Sequence, residues 1–450
     1  MKLFGTDGIR ARAGEFPLNA AAVVAIGQAI AERLNGTVLV GQDTRVSSPW
    51  IFDLLKQGFE RSGKAHGAPP ARIEDAGIIP TPAVALLTRT HAFAGGVMIS
   101  ASHNPFEDNG IKVFSADGTK LSDVTEREIE QRINALMPAN ADEVVDTVPD
   151  TVISRSAVGQ WLQSYRDVLL SHFPSGQWLG GLSIVADCAN GAMSAVAPEI
   201  LRELGASVRV ICGEPSGKNI NLNCGAVHLE ALEAAMKEET ADFGVAFDGD
   251  GDRSLFVSRS GKRVDGDAVL LLMARRMKPS TVVGTSMTNY ALEKTLGAEG
   301  VALTRVGVGD RYIFEEMHRS GATIGGEPSG HIIFSDFRLS GDGLLTTLKL
   351  AQTIVDAKKS LDDLTRDWVP APQLLKGVRV SRRVPIEDLP ALQSVMRDAS
   401  EELENCGRLV IRYSGTEPLL RVMIESDDAK RNDAWMNRLL SAIEKDLPQK

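Results

Sequence analysis

Ser102 closes the run Val97-Met98-Ile99-Ser100-Ala101-Ser102-His103-Asn104-Pro105, where an apolar, strand-like stretch breaks into a polar loop that ends at a proline. A serine hydroxyl is a weak nucleophile or phosphoryl carrier until a base, a metal or fixed dipoles act on it, and here His103 follows at once and Lys112 lies further along the next apolar run. Taken alone, the same residues also read as a Ser/Asn/Pro turn capped by its own side chains. Three other segments favour the reactive reading.

Phe243-Gly244-Val245-Ala246-Phe247 leads directly into Asp248-Gly249-Asp250-Gly251-Asp252-Arg253, which sets three carboxylates at alternate positions after a buried-strand pattern. Like charges this close call for a cation, and an oxygen-only donor set suits a hard ion such as Mg2+. The spacing imitates an EF-hand loop, but Arg253 stands where that loop needs glycine and Arg259 where it needs glutamate, so the EF-hand reading fails. Arg412-Tyr413-Ser414-Gly415-Thr416-Glu417-Pro418 reads as the turn between two strands. With Arg412, Ser414, Gly415, Thr416 and, beyond the turn, Arg421, it offers guanidinium forks, hydroxyls and backbone amides to a phosphate, although a plain hairpin accounts for its glycine and proline. Gly325-Gly326-Glu327-Pro328-Ser329-Gly330-His331 gathers a carboxylate, a hydroxyl and an imidazole in a glycine-rich loop, which suits the hydroxyls of a sugar and is also compatible with a solvent-facing turn.

In this order, the four segments resemble the alpha-D-phosphohexomutase superfamily and, within it, the bacterial phosphoglucosamine mutases. The resemblance covers essentially the whole chain. It begins at Phe4-Gly5-Thr6-Asp7-Gly8-Ile9-Arg10 and includes Gly41-Gln42-Asp43-Thr44-Arg45, Pro80-Thr81-Pro82, Asp187-Cys188-Ala189-Asn190-Gly191 and Asn219-Ile220-Asn221. It implies a phosphate carried on Ser102, with Mg2+ bound by Ser102, Asp248, Asp250 and Asp252. It further implies a glucosamine or glucose 1,6-bisphosphate primer and interconversion of glucosamine 6-phosphate and glucosamine 1-phosphate for UDP-N-acetylglucosamine and cell-wall precursors. Substrate contacts would come from Thr6, Arg253, Gly309, Asp310, Arg311, Glu327, Ser329, Arg412, Ser414, Gly415, Thr416 and Arg421. Acid–base work would fall to residues around Ser102, with His103, Lys112, His331 and Arg10 as candidates. The same resemblance implies a central cleft and, in relatives, dimers through the first domain. The sequence departs from the family pattern at Ala11, Gly251, Gly307 and Pro328. Pro328 removes a backbone N–H from the sugar loop, and the alternative is a phosphomannomutase/phosphoglucomutase of the same superfamily. Rivals from other classes are a metal-dependent phosphatase and a non-catalytic phosphosugar-binding protein with a regulatory phosphoserine.

The elements that must position these loops follow one pattern: an apolar β-rich run, a polar turn, then a helical stretch, as at Val38-Leu39-Val40-Gly41, Ile184-Val185-Ala186-Asp187 and Val282-Val283-Gly284-Thr285. Such alternation argues for α/β layers. The expected architecture is three related α/β mixed-sheet domains plus a smaller C-terminal α+β domain, divided at 1–152, 153–253, 254–369 and 370–450. Gly58-Phe59-Glu60-Arg61-Ser62-Gly63-Lys64 mimics a P-loop, but Ala65 replaces the metal-binding hydroxyl and the preceding stretch is helical. No GxGxxG stands between a strand and a helix, which leaves a dinucleotide enzyme without support.

With 450 residues, the chain has room for several cores. No apolar run approaches the ~20 residues of a membrane span, and the N-terminus lacks the apolar stretch of a signal peptide, so a cytoplasmic enzyme is expected. The net charge of −10 disfavours nucleic acid as a partner and makes a phosphosugar site depend on local arginines. Cys188, Cys212, Cys224 and Cys406 have no CxxC spacing and are expected to be reduced and buried.

Overall fold

The computed structural model describes residues 2–5, 7–66, 71–138, 140–150, 159–337, 340–380, 382–413 and 419–447. The first sheet contains β1 (Ile9–Arg12), β2 (Thr37–Gln42), β3 (Arg72–Ile78), β4 (Gly95–Ile99) and β5 (Asp108–Ser115) in the order β1-β5-β4-β2-β3. β2 runs parallel to β3 and β4, whereas β5 is antiparallel to β1 and β4. β4 is buried along its whole length, as an unbroken apolar run requires, and it delivers the chain to Ser102. The helices Ala20–Leu34 and Ser48–His66 pack against each other through glycines. A Cβ on Gly27 would lie 2.5 Å from Leu55 O, and one on Gly58 would overlap Val24 O. The P-loop imitation is therefore the interior of a helix, and Gly58 serves close helix packing.

Asn19 caps the helix Ala20–Leu34 by accepting from Ala22 N, and its amide donates to Ala141 O and Val144 O. The Asp146 carboxylate accepts from Ala20 N at the same helix terminus, so the acidic stretch after the first sheet is strapped back onto it. The first expected boundary, 152/153, lies outside the described residues.

The second sheet holds β6 (Ser183–Asp187), β7 (Ser207–Ile211), β8 (Phe243–Phe247), β9 (Ser254–Ser258) and β10 (Arg263–Val264) in the order β10-β9-β8-β6-β7. β8 and β9 are antiparallel neighbours with Phe247 opposite Ser254, which makes Asp248–Arg253 the connection between them. The sheet thus continues past the 253/254 division to Val264, because the acidic loop joins two paired strands. In the third sheet, β11 (Thr281–Thr285) comes first, and β12 (Ala302–Val306) follows it in the chain. β13 (Ile324–Gly326) pairs parallel with β11 and antiparallel with β14 (Ile332–Phe334), which places the Glu327 loop at a hairpin turn.

The chain divides into two compact units, Met1–Thr285 with Val306–Arg366, and Ser286–Arg305 with Asp367–Lys450. The second unit carries a smaller antiparallel sheet of β15 (Gln373–Arg379), β16 (Gly407–Tyr413) and β17 (Leu419–Ser426), ordered β15-β17-β16. Leu392 and Leu403 of the helix Pro390–Leu403, and Trp435, Leu439 and Ile443 of the helix Ala429–Asp446, join Val422 and Ile424 in its core. Three mixed α/β sheets and a smaller C-terminal α+β element match the expected fold class. Among the described residues no helix is long and apolar enough to cross a membrane.

Candidate active site

Ser102 is 1% exposed and has φ +53, in the left-handed region that serine rarely adopts. Its conformation is fixed from three sides. Its N–H donates to Ser100 Oγ (2.9 Å), while its carbonyl accepts from Arg45 (3.0 Å) and from Asn221 Nδ2 (2.9 Å). Arg45 is fully buried, pairs with Asp43 at 2.9 Å and also donates to the carbonyls of Asn104, Pro105 and Asp108. Asp43 in turn accepts from Ser100 Oγ at 2.6 Å. A buried guanidinium with this many acceptors fixes a loop far more firmly than turn propensity can.

The Ser102 hydroxyl donates to Asp248 Oδ2 at 2.6 Å and stands 3.3 Å from His103 Nδ1. Asp248, Asp250 and Asp252 are buried, with one carboxylate oxygen from each lying within 4.8 Å of the others. Burial, followed by the neighbouring Asp252 and Asp250 charges, pushes Asp248 well above the usual carboxylate range. Burial alone would raise Asp252 too, but Lys112 and His331 hold it well below that range. Lys112 Nζ donates to Asp250 Oδ2 (2.8 Å) and Asp252 Oδ2 (3.3 Å) and pairs with Asp7 (3.0 Å). Those carboxylates overcome its desolvation and raise its pKa well above the usual lysine range, so Lys112 stands here as a fixed cation. Among the described residues, Oδ1 of Asp250 and Oδ1 of Asp252 are buried without a hydrogen-bond partner, Asp252 Oδ1 having only Arg253 Nε at 3.7 Å. Two orphaned oxygens in an all-oxygen donor set fit a hard divalent cation.

Around this centre, Arg253 donates to His103 Nδ1 at 3.2 Å, and burial together with the Arg253 and Arg10 charges lowers the His103 pKa to about 4. Arg10 pairs with Asp7 and reaches Asn104 Oδ1 at 3.4 Å. The buried His331 lies 3.7 Å from Asp252, and its Nε2 accepts from Gly341 N at 2.9 Å. The surrounding carboxylates raise its pKa against the effect of burial, while the Gly341 amide favours a ring whose proton sits on Nδ1. Glu327 Oε1 accepts from Gly309 N (3.3 Å) and Oε2 from Ser329 Oγ (3.4 Å). Pro328 keeps the loop in place through its carbonyl, which accepts from Gly266 N at 3.1 Å. Asp310 accepts from Lys120 Nζ at 2.7 Å. Arg311 bonds Glu315 (2.9 Å) and Asp123 instead of the serine centre, and with Lys120 and Asp310 it lines a cavity of about 160 Å³.

In the second unit, Arg412 and Arg421 face each other across β16 and β17 and line one small cavity. Desolvation and then the Arg421 charge lower the Arg412 pKa, a like-charge pairing that an anion would relieve. Thr6, Ser414, Gly415 and Thr416 lie outside the described residues.

Several residues without an expected role do much of the positioning. Arg45 clamps the serine loop, Thr81 Oγ1 donates to Asp250 Oδ2 (2.5 Å), and Asn221 bonds Ser102. Asp7 joins Arg10, Lys112 and Lys120. All but Lys120 sit in motifs that carried the family resemblance, which was the available signal.

Comparison with known proteins agrees with this geometry. The chain matches Phosphoglucomutase/phosphomannomutase in all four parts: alpha/beta/alpha domain I over residues 1–139, domain II over 163–261, domain III over 265–371 and the C-terminal domain over 375–442. It is 43% identical over 456 residues to the phosphoglucosamine mutase of Solibacter usitatus (strain Ellin6076), covering 99% of each chain. It is 44% identical over 436 residues to that of Deinococcus deserti, covering 95% of each. A solved phosphoglucomutase/phosphomannomutase family protein from Burkholderia thailandensis has the same fold, with a TM-score of 0.78 at 20% identity over 99% of this chain and 98% of that one. With relatives this similar along nearly its whole length, the chain belongs to the phosphoglucosamine mutases of the phosphohexomutase superfamily.

Proposed function

We propose that this protein interconverts glucosamine 6-phosphate and glucosamine 1-phosphate through a phosphoserine at Ser102 and a bisphosphate intermediate, supplying amino-sugar precursors in the cytoplasm. The observation that carries this reading is the buried Ser102 hydroxyl 2.6 Å from Asp248, inside a carboxylate triad of which two oxygens accept no hydrogen bond among the described residues. Asp248, Asp250, Asp252 and the Ser102 oxygen would hold Mg2+, which when bound offsets the charge of the phosphoserine and of the phosphoryl group in flight.

In the forward half-reaction the Ser102 Oγ–P bond breaks as a sugar hydroxyl oxygen bonds to phosphorus, and the serine regains a proton. After the bisphosphate turns over, the other phosphate returns to Ser102 and the serine proton leaves. Asp248 Oδ2 and His103 Nδ1 are the acceptors within reach of that proton. In this reading Lys112 and Arg10 would offset the charge of the reacting sugar oxygen, and His331 would handle its proton. Glu327 and Ser329, with Gly309, Asp310, Arg311 and Arg253, orient the sugar, while Arg412 and Arg421 bind a phosphate. A homodimer through the first domain belongs to the same reading and is testable by sedimentation.

The deciding assay supplies Mg2+, a glucose 1,6-bisphosphate primer and glucosamine 6-phosphate. Isomerisation lost in Ser102→Ala supports the mutase, release of free phosphate a phosphatase, and silence a binding protein. Comparing kcat/KM for glucosamine, glucose and mannose 6-phosphates tests the substrate. A Glu327 carboxylate facing a hydroxyl where it needs an ammonium costs ~1–3 kcal/mol or more, so equal values would reassign the sugar and leave the mechanism intact.

A further inference from the structure

Cys212 and Cys224 lack any recognisable motif spacing, yet the fold sets them side by side. Their sulfurs and a carboxylate oxygen of Asp187 all lie within 4.8 Å of one another. Cys212 follows the end of β7 and is partly exposed, whereas Cys224 is buried, and both are free thiols. Cys212 and Cys406 are partly exposed, which corrects the expectation of four buried cysteines, and the pairing of β6 with β7, with Asp187 opposite Ile211, brings Cys212 to the Asp187 carboxylate. Each Asp187 oxygen is already held by a backbone amide, that of Ala189 at 2.9 Å or of Gly225 at 2.8 Å. The two sulfurs share a hydrogen bond, and Cys224 Sγ also accepts from Asn190 Nδ2 at 3.8 Å.

The segment joining these cysteines carries the clamp on the serine loop, for Asn221 Nδ2 donates to Ser102 O at 2.9 Å and to Asn104 O at 3.1 Å. Asn190 ties the segment down: its N–H donates to Cys212 O (2.5 Å) and its amide to Asn219 O (3.2 Å). Cys212, Asn221 and Asn223 have φ of +46, +56 and +53, a strained backbone that persists only while its surroundings hold it.

We propose that Cys212 and Cys224 form a reversible disulfide that acts as a redox switch on the Ser102 loop. The oxidant is a low-molecular-weight disulfide. The Cys212 sulfur bonds to one of its sulfurs as the S–S bond breaks, and one thiol departs with the Cys212 proton. The Cys224 sulfur then attacks Cys212 Sγ, and the second thiol departs with the Cys224 proton. Cys212 suits the first attack, since it is partly exposed and the hydrogen bond shared with Cys224 lowers its pKa. Cys188, buried with its thiol pushed up, is a bystander.

Closure draws the sulfurs to ~2.05 Å. The Cys224 end cannot yield, because the adjoining Gly225 is packed so closely that a Cβ there would lie 2.6 Å from Ala189 Cβ and 2.7 Å from Phe247 O. The movement therefore falls on Cys212 and the loop it anchors, and it pulls Asn221 off the Ser102 carbonyl.

The test treats the full chain with glutathione disulfide, blocks remaining thiols by alkylation and maps cross-linked peptides by mass spectrometry, with turnover measured in parallel. The expected result is a Cys212–Cys224 linked peptide and a loss of turnover of about tenfold or more, restored by dithiothreitol and absent in Cys212→Ser. Two thiols that still alkylate after oxidation would overturn the proposal, as would a link formed with turnover unchanged. The turnover readout rests on the mutase reading, whereas the cross-link does not. If untreated protein has no mutase activity, the linked peptide and altered hydrogen exchange at Ser102 decide the switch separately: both present support it, and either one missing overturns it.

Discussion

Replacing Arg45 with methionine tests what holds the reactive serine in place. The guanidinium is fully buried, pairs with Asp43 at 2.9 Å, and donates to Ser102 O (3.0 Å), Asn104 O (2.8 Å), Asp108 O (2.9 Å) and Pro105 O. Methionine keeps most of the aliphatic stem and removes every donor. Breaking a buried pair from one side typically costs ~3–5 kcal/mol. Here Asp43 retains Arg45 N (3.0 Å), Ser48 Oγ (3.0 Å) and Ser100 Oγ (2.6 Å), which places the loss near the lower end, at about 3 kcal/mol. The carbonyls left behind belong to a loop whose Ser102 sits at φ +53, so the loop relaxes before the sheet does, and the loss appears as local opening. Amide hydrogen exchange should show protection at Ser102 and its neighbours falling by about two orders of magnitude, while β2 and β4 stay protected. Turnover should fall about 100-fold, as expected when a reacting group shifts by about 1 Å. Asp43→Asn in the Arg45→Met background removes the unpaired charge and should restore part of the stability but little turnover. An Arg45→Met protein with wild-type exchange at Ser102 and turnover within a few-fold would refute this account of the loop.

Asp250→Asn should weaken Mg2+ binding, read by calorimetry, by at least the ~10–100-fold that losing an outer-shell partner costs, with the circular dichroism spectrum unchanged; retained affinity would remove Asp250 from the ligand set. Mg2+ should bind more tightly to protein phosphorylated on Ser102 than to the unphosphorylated form, and equal affinities would contradict the charge balance described below. Burial raises Asp342 from 3.8 to about 6 although it caps the helix Gly343–Ala357 and accepts from Tyr165 at 2.9 Å. Its contribution to stability is thus present below about pH 4 and lost as pH rises through 6, so Asp342→Asn should gain up to ~3 kcal/mol relative to wild type between pH 4 and 7 in urea unfolding, and a pH-independent difference would exclude this. Gly58→Ala would press a methyl group into Val24 O and should cost ~1–3 kcal/mol of stability without affecting Mg2+ binding, whereas a neutral effect would mean that the two helices are free to part.

What the sequence made legible were the segments whose chemistry is local. The serine loop, the alternating aspartates and the Glu327 turn each announce themselves by composition within a few residues; the first two lie at the ends of the expected strands, and the third follows β13. The residues it left without a role act across long separations: Arg45 lies 57 positions from Ser102, and Thr81 lies 169 from Asp250. These contacts depend on strand order, since β2 and β4 are parallel neighbours and Gln42 pairs with Ile99, which brings the Asp43–Arg45 turn beside the serine loop. No local periodicity encodes that register. The 253/254 division meets a related limit: the acidic loop looks like a terminus in the chain and is the link between antiparallel partners in the sheet. Arg311, expected from its motif to meet substrate, bonds the nearest carboxylates, Glu315 and Asp123, contacts that its motif does not encode.

A chain of net charge −10 repels a dianionic sugar at long range, so the serine centre must arrange its own balance. The carboxylates of Asp7, Asp248, Asp250, Asp252 and Asp310 lie among Arg10, Lys112, Lys120 and Arg253, so that cations offset most of the anionic charge around a buried hydroxyl. A phosphoserine adds about −1.5 to −2 to this cluster. A divalent cation adds the opposite, so the two together leave the balance as it was, whereas either alone shifts it by about two charges where desolvation is most costly. Each should therefore strengthen the binding of the other, and by linkage the effect is reciprocal. This explains why three aspartates and a lysine are buried together at evident electrostatic expense. Lys112 supplies part of the positive charge here, through bonds to Asp250 and Asp252.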